Sequence, residues 1–380
     1  MTLLSNRSQR NLGSGSGPTK RNNIKSISKL IVALGLLCLG PPAHGRLILY
    51  ASGGGQIQLS GLYAIDTITG AATLACNLNS IHVYAGGLAY DAPTDTLYVT
   101  GVLDSDTGTT RLFKINRVTG AWTAFPGMSP TINLSSGGLA INPLTGIMYA
   151  TGGNGFQSSA LFTIDKSTGA ATLVGQCGGQ CCVSPFGFNI NGLGFSSDGT
   201  LFANGFTLSG IPVDGAYSLL FTLDLSSGLA TEVGPHGVNV GRQLNYSGLA
   251  FGANGTLYSL GSTSASAQGL YSVNPANGAA TVIGDTVIHF GVDGGLAFAP
   301  EPQPIIVTTS VAATNLVLDA ANGLAGRTYL TLMSATLTQP LSLWQPVATN
   351  VLVSGGNFTI TVTNTVQPTV PQRFYVLRLQ

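Results

Sequence analysis

A phrase of about fifty residues recurs five times between residues 46 and 299, and a chain that repeats itself at that interval has few folds open to it. The phrase reads Leu62-Tyr63-Ala64-Ile65-Asp66 followed by Thr69-Gly70-Ala71-Ala72-Thr73. It returns at Leu112-Phe113-Lys114-Ile115-Asn116, at Leu161-Phe162-Thr163-Ile164-Asp165, at Leu220-Phe221-Thr222-Leu223-Asp224 and at Leu270-Tyr271-Ser272-Val273-Asn274. Each copy carries its own x-x-[Thr/Ser/Asn]-Gly continuation, and the copies start 50, 49, 59 and 50 residues apart. Two shorter phrases fall between them. One is Gly87-Leu88-Ala89, Gly138-Leu139-Ala140, Gly192-Leu193-Gly194, Gly248-Leu249-Ala250 and Gly295-Leu296-Ala297. The other is a strand-ending pair: Leu49-Tyr50, Leu97-Tyr98, Met148-Tyr149, Leu201-Phe202 and Leu257-Tyr258.

Each unit therefore reads as four short strands joined by tight turns. Asn-Gly and Asp-Gly pairs such as Asp198-Gly199 and Asn254-Gly255 tolerate the positive φ that such turns need. Composition agrees, since only 8% of residues are charged and 52 are glycine, which leaves little to cover the outer faces of long helices. The glycines are turn chemistry rather than a dinucleotide cradle, because no helix follows them. Four-stranded units at this spacing predict an all-β fold, a five-bladed β-propeller over residues 46–299. The chain enters that segment on a second strand and leaves it on a first strand, at 294–299. Its two ends are thus expected to complete one blade and close the ring.

These phrases resemble those of bacterial extracellular propellers of the YVTN/NHL-like, WD40-like class, a likeness of scaffold motifs that implies no substrate. Residues 300–304, Pro-rich, read as a linker. Residues 305–380 lose the phrase but keep strand alternation, and are expected to form a small β-sandwich. Tyr329, Ser334, Trp344 and the closing Phe374-Tyr375-Val376-Leu377-Arg378-Leu379 make this part similar to the module that ends many secreted proteins of planctomycete- and verrucomicrobia-type bacteria. Gln339-Pro340-Leu341 stands where that module usually has asparagine-leucine.

Residues 1–45 differ in character. Arg7, Arg10, Lys20, Arg21, Lys25 and Lys29 precede an apolar run, 30–40, and then Pro41-Pro42-Ala43-His44-Gly45. That order reads as a secretory signal, and the run is too short for a membrane span. All fourteen acids and only nine basic residues remain after it, scattered singly, which argues against a nucleic-acid surface. Export favours disulfides among Cys76, Cys177, Cys181 and Cys182.

The loops from the fourth strand of one unit to the first of the next share a face with those joining second and third strands. On that face lie His82, Tyr84, Asn133, Asn189, Asn191, Asn245, Tyr246, His289 and Asp293, the binding candidates; His236 falls in the same class of loop. Asp104 and Asp106 alternate in Asp104-Ser105-Asp106-Thr107-Gly108, but no bidentate glutamate follows, so calcium is at most a weak cofactor expectation. The acid or amide at 66, 116, 165, 224 and 274 is expected to bond its own turn. Function should lie where the units differ, at 175–191 and 204–217 above all. The expected role is a secreted or cell-surface scaffold for a glycan, peptide or protein, with the sandwich as an attachment module. The alternatives are an extracellular hydrolase or lyase on a polymer, and a structural envelope protein.

Overall fold

The computed structural model describes residues 47–53, 61–78, 81–82, 87–103, 110–126, 138–152, 159–178, 188–207, 218–237, 248–264, 267–286, 295–324, 326–364 and 373–380. They are all-β, with 3-10 turns at Ala92–Thr94 and Leu341–Leu343 as the helical elements among the described residues. The chain divides into two compact units, Gly45–Glu301 and a second holding Pro302–Gln380.

The first unit contains five antiparallel sheets. Sheet 1 begins with β1 (Leu47–Gly53), β2 (Gly61–Ile65) and β3 (Ala72–Asn77). Sheet 2 holds β4 (Ile81–His82), β5 (Leu88–Asp91), β6 (Thr96–Leu103), β7 (Arg111–Ile115) and β8 (Trp122–Ala124). Sheet 3 is β9 (Leu139–Ile141), β10 (Met148–Gly152), β11 (Ala160–Ile164) and β12 (Ala171–Gln176). Sheet 4 is β13 (Phe188–Phe195), β14 (Leu201–Thr207), β15 (Leu219–Leu223) and β16 (Ala230–Pro235). Sheet 5 is β17 (Leu249–Phe251), β18 (Leu257–Ser264), β19 (Ala267–Val273) and β20 (Ala280–Asp285). The last strand, β21 (Leu296–Pro300), returns to sheet 1 and pairs with β1 at Tyr50↔Ala297 and Leu49↔Phe298, giving the order β21-β1-β2-β3.

The repeated phrases now have physical reasons. The middle strands of a sheet are covered on both faces by neighbouring sheets, so they read as unbroken apolar runs; Met148–Gly152 is buried throughout. The outer strand faces solvent on one side, and Ala171–Gln176 shows the exposure expected of an edge. The Gly-Leu-Ala strands touch one another in the order β5, β9, β13, β17, β21, and β21 touches β5. The same contact recurs here, Gly87 against Leu139 and Gly248 against Leu296, where a Cβ on either glycine would fall 2.2 and 2.3 Å from the facing backbone nitrogen. Only small residues allow the first strands to approach so closely.

The second unit has two three-stranded sheets. One is β22 (Ile305–Ala312), β23 (Asn315–Gly323) and β26 (Gly356–Val362); the other is β24 (Thr328–Ser334), β25 (Gln345–Val351) and β27 (Phe374–Leu379), with β24 and β23 central. Leu316, Leu318, Ile360 and Val362 of the first sheet share a core with Tyr329, Tyr375 and Leu377 of the second. The Leu324 amide donates to the Tyr329 hydroxyl at 2.7 Å, which satisfies a buried tyrosine. Gln339 ties the Trp344 turn to the end of β24. Its carbonyl accepts the Trp344 indole N–H at 2.9 Å, and its side-chain Oε1 accepts the Ser334 hydroxyl at 2.9 Å.

Candidate functional site

Neighbouring strands run antiparallel, so the connections within each of the five sheets alternate between two ends. One end is uniform. Asp66, Asn116, Asp165 and Asp224 each accept backbone N–H bonds from the residues two and three further on, at 2.7 to 3.1 Å. Asn274 accepts from Ala276 at 2.9 Å. Hydroxyl and amide donors hold the exposed Asp165 and Asp224 carboxyls below the usual carboxylate range, the serine hydroxyls first among them. Asparagine serves equally at 116 and 274 because the position asks for an acceptor, not a charge. Asn142 builds the same turn with Leu144 and Thr145.

The glycine that ends each turn has a second duty. It lies against the outer strand of the preceding sheet: Gly120 on Asn77, Gly169 on Phe125, Gly228 on Gly175, Gly278 on Gly234 and Gly70 on Gly284. A Cβ at Gly278 would stand 2.3 Å from the Gly234 carbonyl oxygen, and its φ of +79° already excludes most side chains. Gly146 has a similar φ, +71°, but nothing nearer than the Lys166 Nζ at 3.9 Å.

Polar groups tie the seams where the copies diverge. After the turn acceptor come Thr67, Arg117, Lys166, Leu225 and Pro275 in turn. Arg117, itself buried, donates to Asp95 at 2.6 Å and covers the Tyr90 ring at 5.4 Å. It also hydrogen-bonds Tyr50, whose hydroxyl burial raises strongly, with Glu301 adding to the rise. Partial burial raises the Asp95 carboxyl, but hydrogen bonds from Arg117 and Tyr90 outweigh it and hold the group low. Lys166 reaches back to the buried Asp91 at 2.9 Å.

The seam between sheets 4 and 5 is neutral. His236 is 1% exposed, with Nδ1 2.7 Å from the Gly278 carbonyl and Nε2 3.1 Å from Asn204 Oδ1. Asn204 Nδ2 donates to Ser259 Oγ at 2.9 Å, and Ser259 donates to the Leu260 carbonyl. Burial pushes the imidazole from its ordinary value down to about 4, against a smaller upward pull from the Gly278 carbonyl. His236 thus lies one residue past β16, in the connection expected for it, but buried rather than on the surface. Aligning the copies supplies the missing signal, because Leu78, Cys177 and Thr286 stand at the same position and are buried too.

The other candidates fall as follows. His82 lies in β4, a fifth strand of sheet 2 paired at Val102 of β6, rather than in a loop. Asn189 and Asn191 lie in β13, where a register shift between Ile190 and Gly192 lengthens the first strand of sheet 4; they too are strand residues, not loop residues. These three are thus divided between two sheets. Tyr84, Asn133, Asn245, Tyr246, His289, Asp293, Asp104, Asp106, Cys181 and Cys182 lie outside the described residues. Cys76 and Cys177 are buried free thiols in separate cores, each pushed up to about 12 by burial, which corrects the disulfide expected of them. Cys76 occupies the place of Gly175, Gly234 and Gly284, and packs as a small apolar residue. No group of three or more metal-ligating side chains occurs among the described residues, nor any helix long and apolar enough to cross a membrane.

No family model matches the chain, and no curated protein does. Solved structures similar to it include TolB from Acinetobacter baumannii, at 12% identity over 66% of this chain and 54% of that one, with a TM-score of 0.38. This chain spans about half the length of that protein. A GH43B protein of a Bacteroides ovatus xyloglucan PUL gives 14% identity, 76% and 71% coverage and a TM-score of 0.42. An exo-β-1,3-galactanase from Phanerochaete chrysosporium gives 10% identity, 84% and 88% coverage and a TM-score of 0.41.

Proposed function

We propose that residues 46–299 form a closed five-bladed β-propeller of four-stranded blades, the second widened by the short strand β4, and that it acts as an exported binding scaffold for a glycan, peptide or protein. On this reading residues 1–45 are a secretory signal, 300–304 a linker and 305–380 a small β-sandwich that attaches the protein at the cell surface. The ring is supported by the five turn-glycine contacts, which pass from each sheet to the one before and from sheet 1 back to sheet 5.

The binding role is carried by the difference between the two ends of the sheets. At one end every copy closes with the same acceptor-and-glycine turn, and its polar groups are consumed by that turn. At the other, the connections run over 54–60, 104–110, 153–159, 208–218 and 265–266, and over 125–138, 177–187, 236–248 and 286–295, and no two agree in sequence. A rigid scaffold with one divergent face is the usual arrangement of a recognition protein.

Panels of extracellular polysaccharides and peptides, probed with the full chain, test this reading. Binding that is lost on Tyr246→Ala or His289→Ala and retained on Asn116→Asp supports it. Binding lost only on substitutions at the turn end overturns it, and release of new reducing ends from a polysaccharide would show a hydrolase instead.

A further inference from the structure

Both nitrogens of the His236 imidazole face oxygens, the Gly278 carbonyl and Asn204 Oδ1. A neutral imidazole has one N–H to give. If Nδ1 gives it to Gly278, Nε2 needs a donor, and Asn204 supplies one by turning its amide so that Nδ2 faces the imidazole. Its Oδ1 then accepts the Ser259 hydroxyl in place of the Leu260 carbonyl doing so. A protonated imidazole reverses each of these: Nε2 donates to Oδ1, Nδ2 donates to Ser259 Oγ, and Ser259 donates to Leu260. Both arrangements leave every member bonded, and they differ by half a turn of one amide and a rotation of one hydroxyl.

We propose that His236, Asn204 and Ser259 form a proton-responsive relay across the seam between the fourth and fifth sheets, rewired through the Asn204 amide. The relay joins β14 to β18, and proton uptake by His236, one residue past β16, is felt at Asn204, three residues before the end of β14. A backbone contact across the seam lies beside it: the Ala280 N–H donates to the His236 carbonyl at 2.9 Å, and the His236 N–H donates within its own sheet to the Ser218 carbonyl at 3.1 Å.

Among the described residues of sheets 4 and 5, no charged group is buried beside the imidazole. Glu232 on β16 and Asp285 on β20 are exposed. Tyr258 of β18 packs on Phe298 at 5.5 Å, and Tyr271 of β19 lies among apolar side chains, where burial raises its hydroxyl to about 12. β14 and β15 carry no titratable residue. Among the described residues, an imidazolium formed here is met by dipoles.

Nuclear magnetic resonance titration of the full chain tests the relay. As the pH falls from 7 to 3, the Asn204 side-chain NH2 signals should shift with the same midpoint as the His236 imidazole. Asn204→Asp, which puts a carboxylate beside the imidazole, should raise that midpoint by about one unit or more. Exchange of the Ala280 amide, corrected for its intrinsic rate, should quicken about tenfold on acidification, and should stay flat in Asn204→Leu, which cannot rewire. An Asn204 amide that does not move through the His236 transition overturns the proposal, as does a midpoint unchanged in Asn204→Asp.

Discussion

Two seams between neighbouring sheets of the first unit are built from opposite materials. Between sheets 1 and 2, Arg117 brings a permanent charge against Asp95, Tyr50 and Tyr90. Between sheets 4 and 5 an imidazole, an amide and a hydroxyl do the joining, and no charged partner acts on the imidazole. The packing scaffold is common to both, since the turn glycines Gly120 and Gly278 press on the preceding sheet in the same way. The difference shows that the polar fastening of each seam is free to vary once close packing is secured. It also makes the two seams respond differently to acid.

The shared layer should dominate the energetics. Gly278→Val forces a side chain into the Gly234 carbonyl at a positive φ, and should cost about 4 kcal/mol or more in chemical denaturation, enough to lose the fold at 37 °C. Gly146→Ala, with a similar φ and open space around it, should cost only about 1 kcal/mol. Equal costs would mean that the turn, not the seam, sets the price.

Acid comes next. Folded His236 holds its proton more weakly than an unfolded histidine, so the unfolded state binds more protons between pH 6.5 and about 4. Stability is therefore full above that window, declines as the pH falls through it by about 3 kcal/mol, and loses nothing further from this group below it. His236→Gln should flatten the decline, read as ΔG of unfolding against pH. At the charged seam the sign runs with Asp95, whose lowered value means that its contribution persists down through pH 4. Arg117→Met should cost about 2 kcal/mol, reduced from the value of a wholly buried pair because the Asp95 side chain is 67% exposed, and the loss should be the same at pH 5 and pH 7. The smallest effect is expected at the turns: Asp224→Asn should leave the thermal midpoint unchanged, because Asn116 and Asn274 already show that the acceptor suffices.

Much of this was open to reading in the sequence because each repeated residue answers a demand that every copy shares. The acceptor at the turn, the glycine after it and the Gly-Leu-Ala strand are of that kind. The extra strand at Ile81–His82 and the lengthened β13 were not legible, since each arises once, from pairing that only the neighbouring strand determines. His236 shows the limit most clearly. Gly234-Pro235-His236-Gly237 looks like a surface loop, and what buries the imidazole is Gly278, forty-two residues on in the next unit. Cys76 misled for a related reason: its thiol fills a slot that glycine fills elsewhere, and only the fold shows how far it lies from the core that holds Cys177. The divergent face resists reading altogether, because a residue that serves one copy leaves no pattern among five.

The offset of the turn glycine has one more consequence. Each unit carries two half-joints, a glycine that serves the unit before it and an outer strand that receives the glycine of the unit after. A gain or loss of one whole unit would thus leave every surviving joint with both its halves, whereas a break inside a unit would orphan one. The fifty-residue interval is the length of chain that can be copied without leaving an open joint, which gives a mechanical reason for its persistence across all five copies.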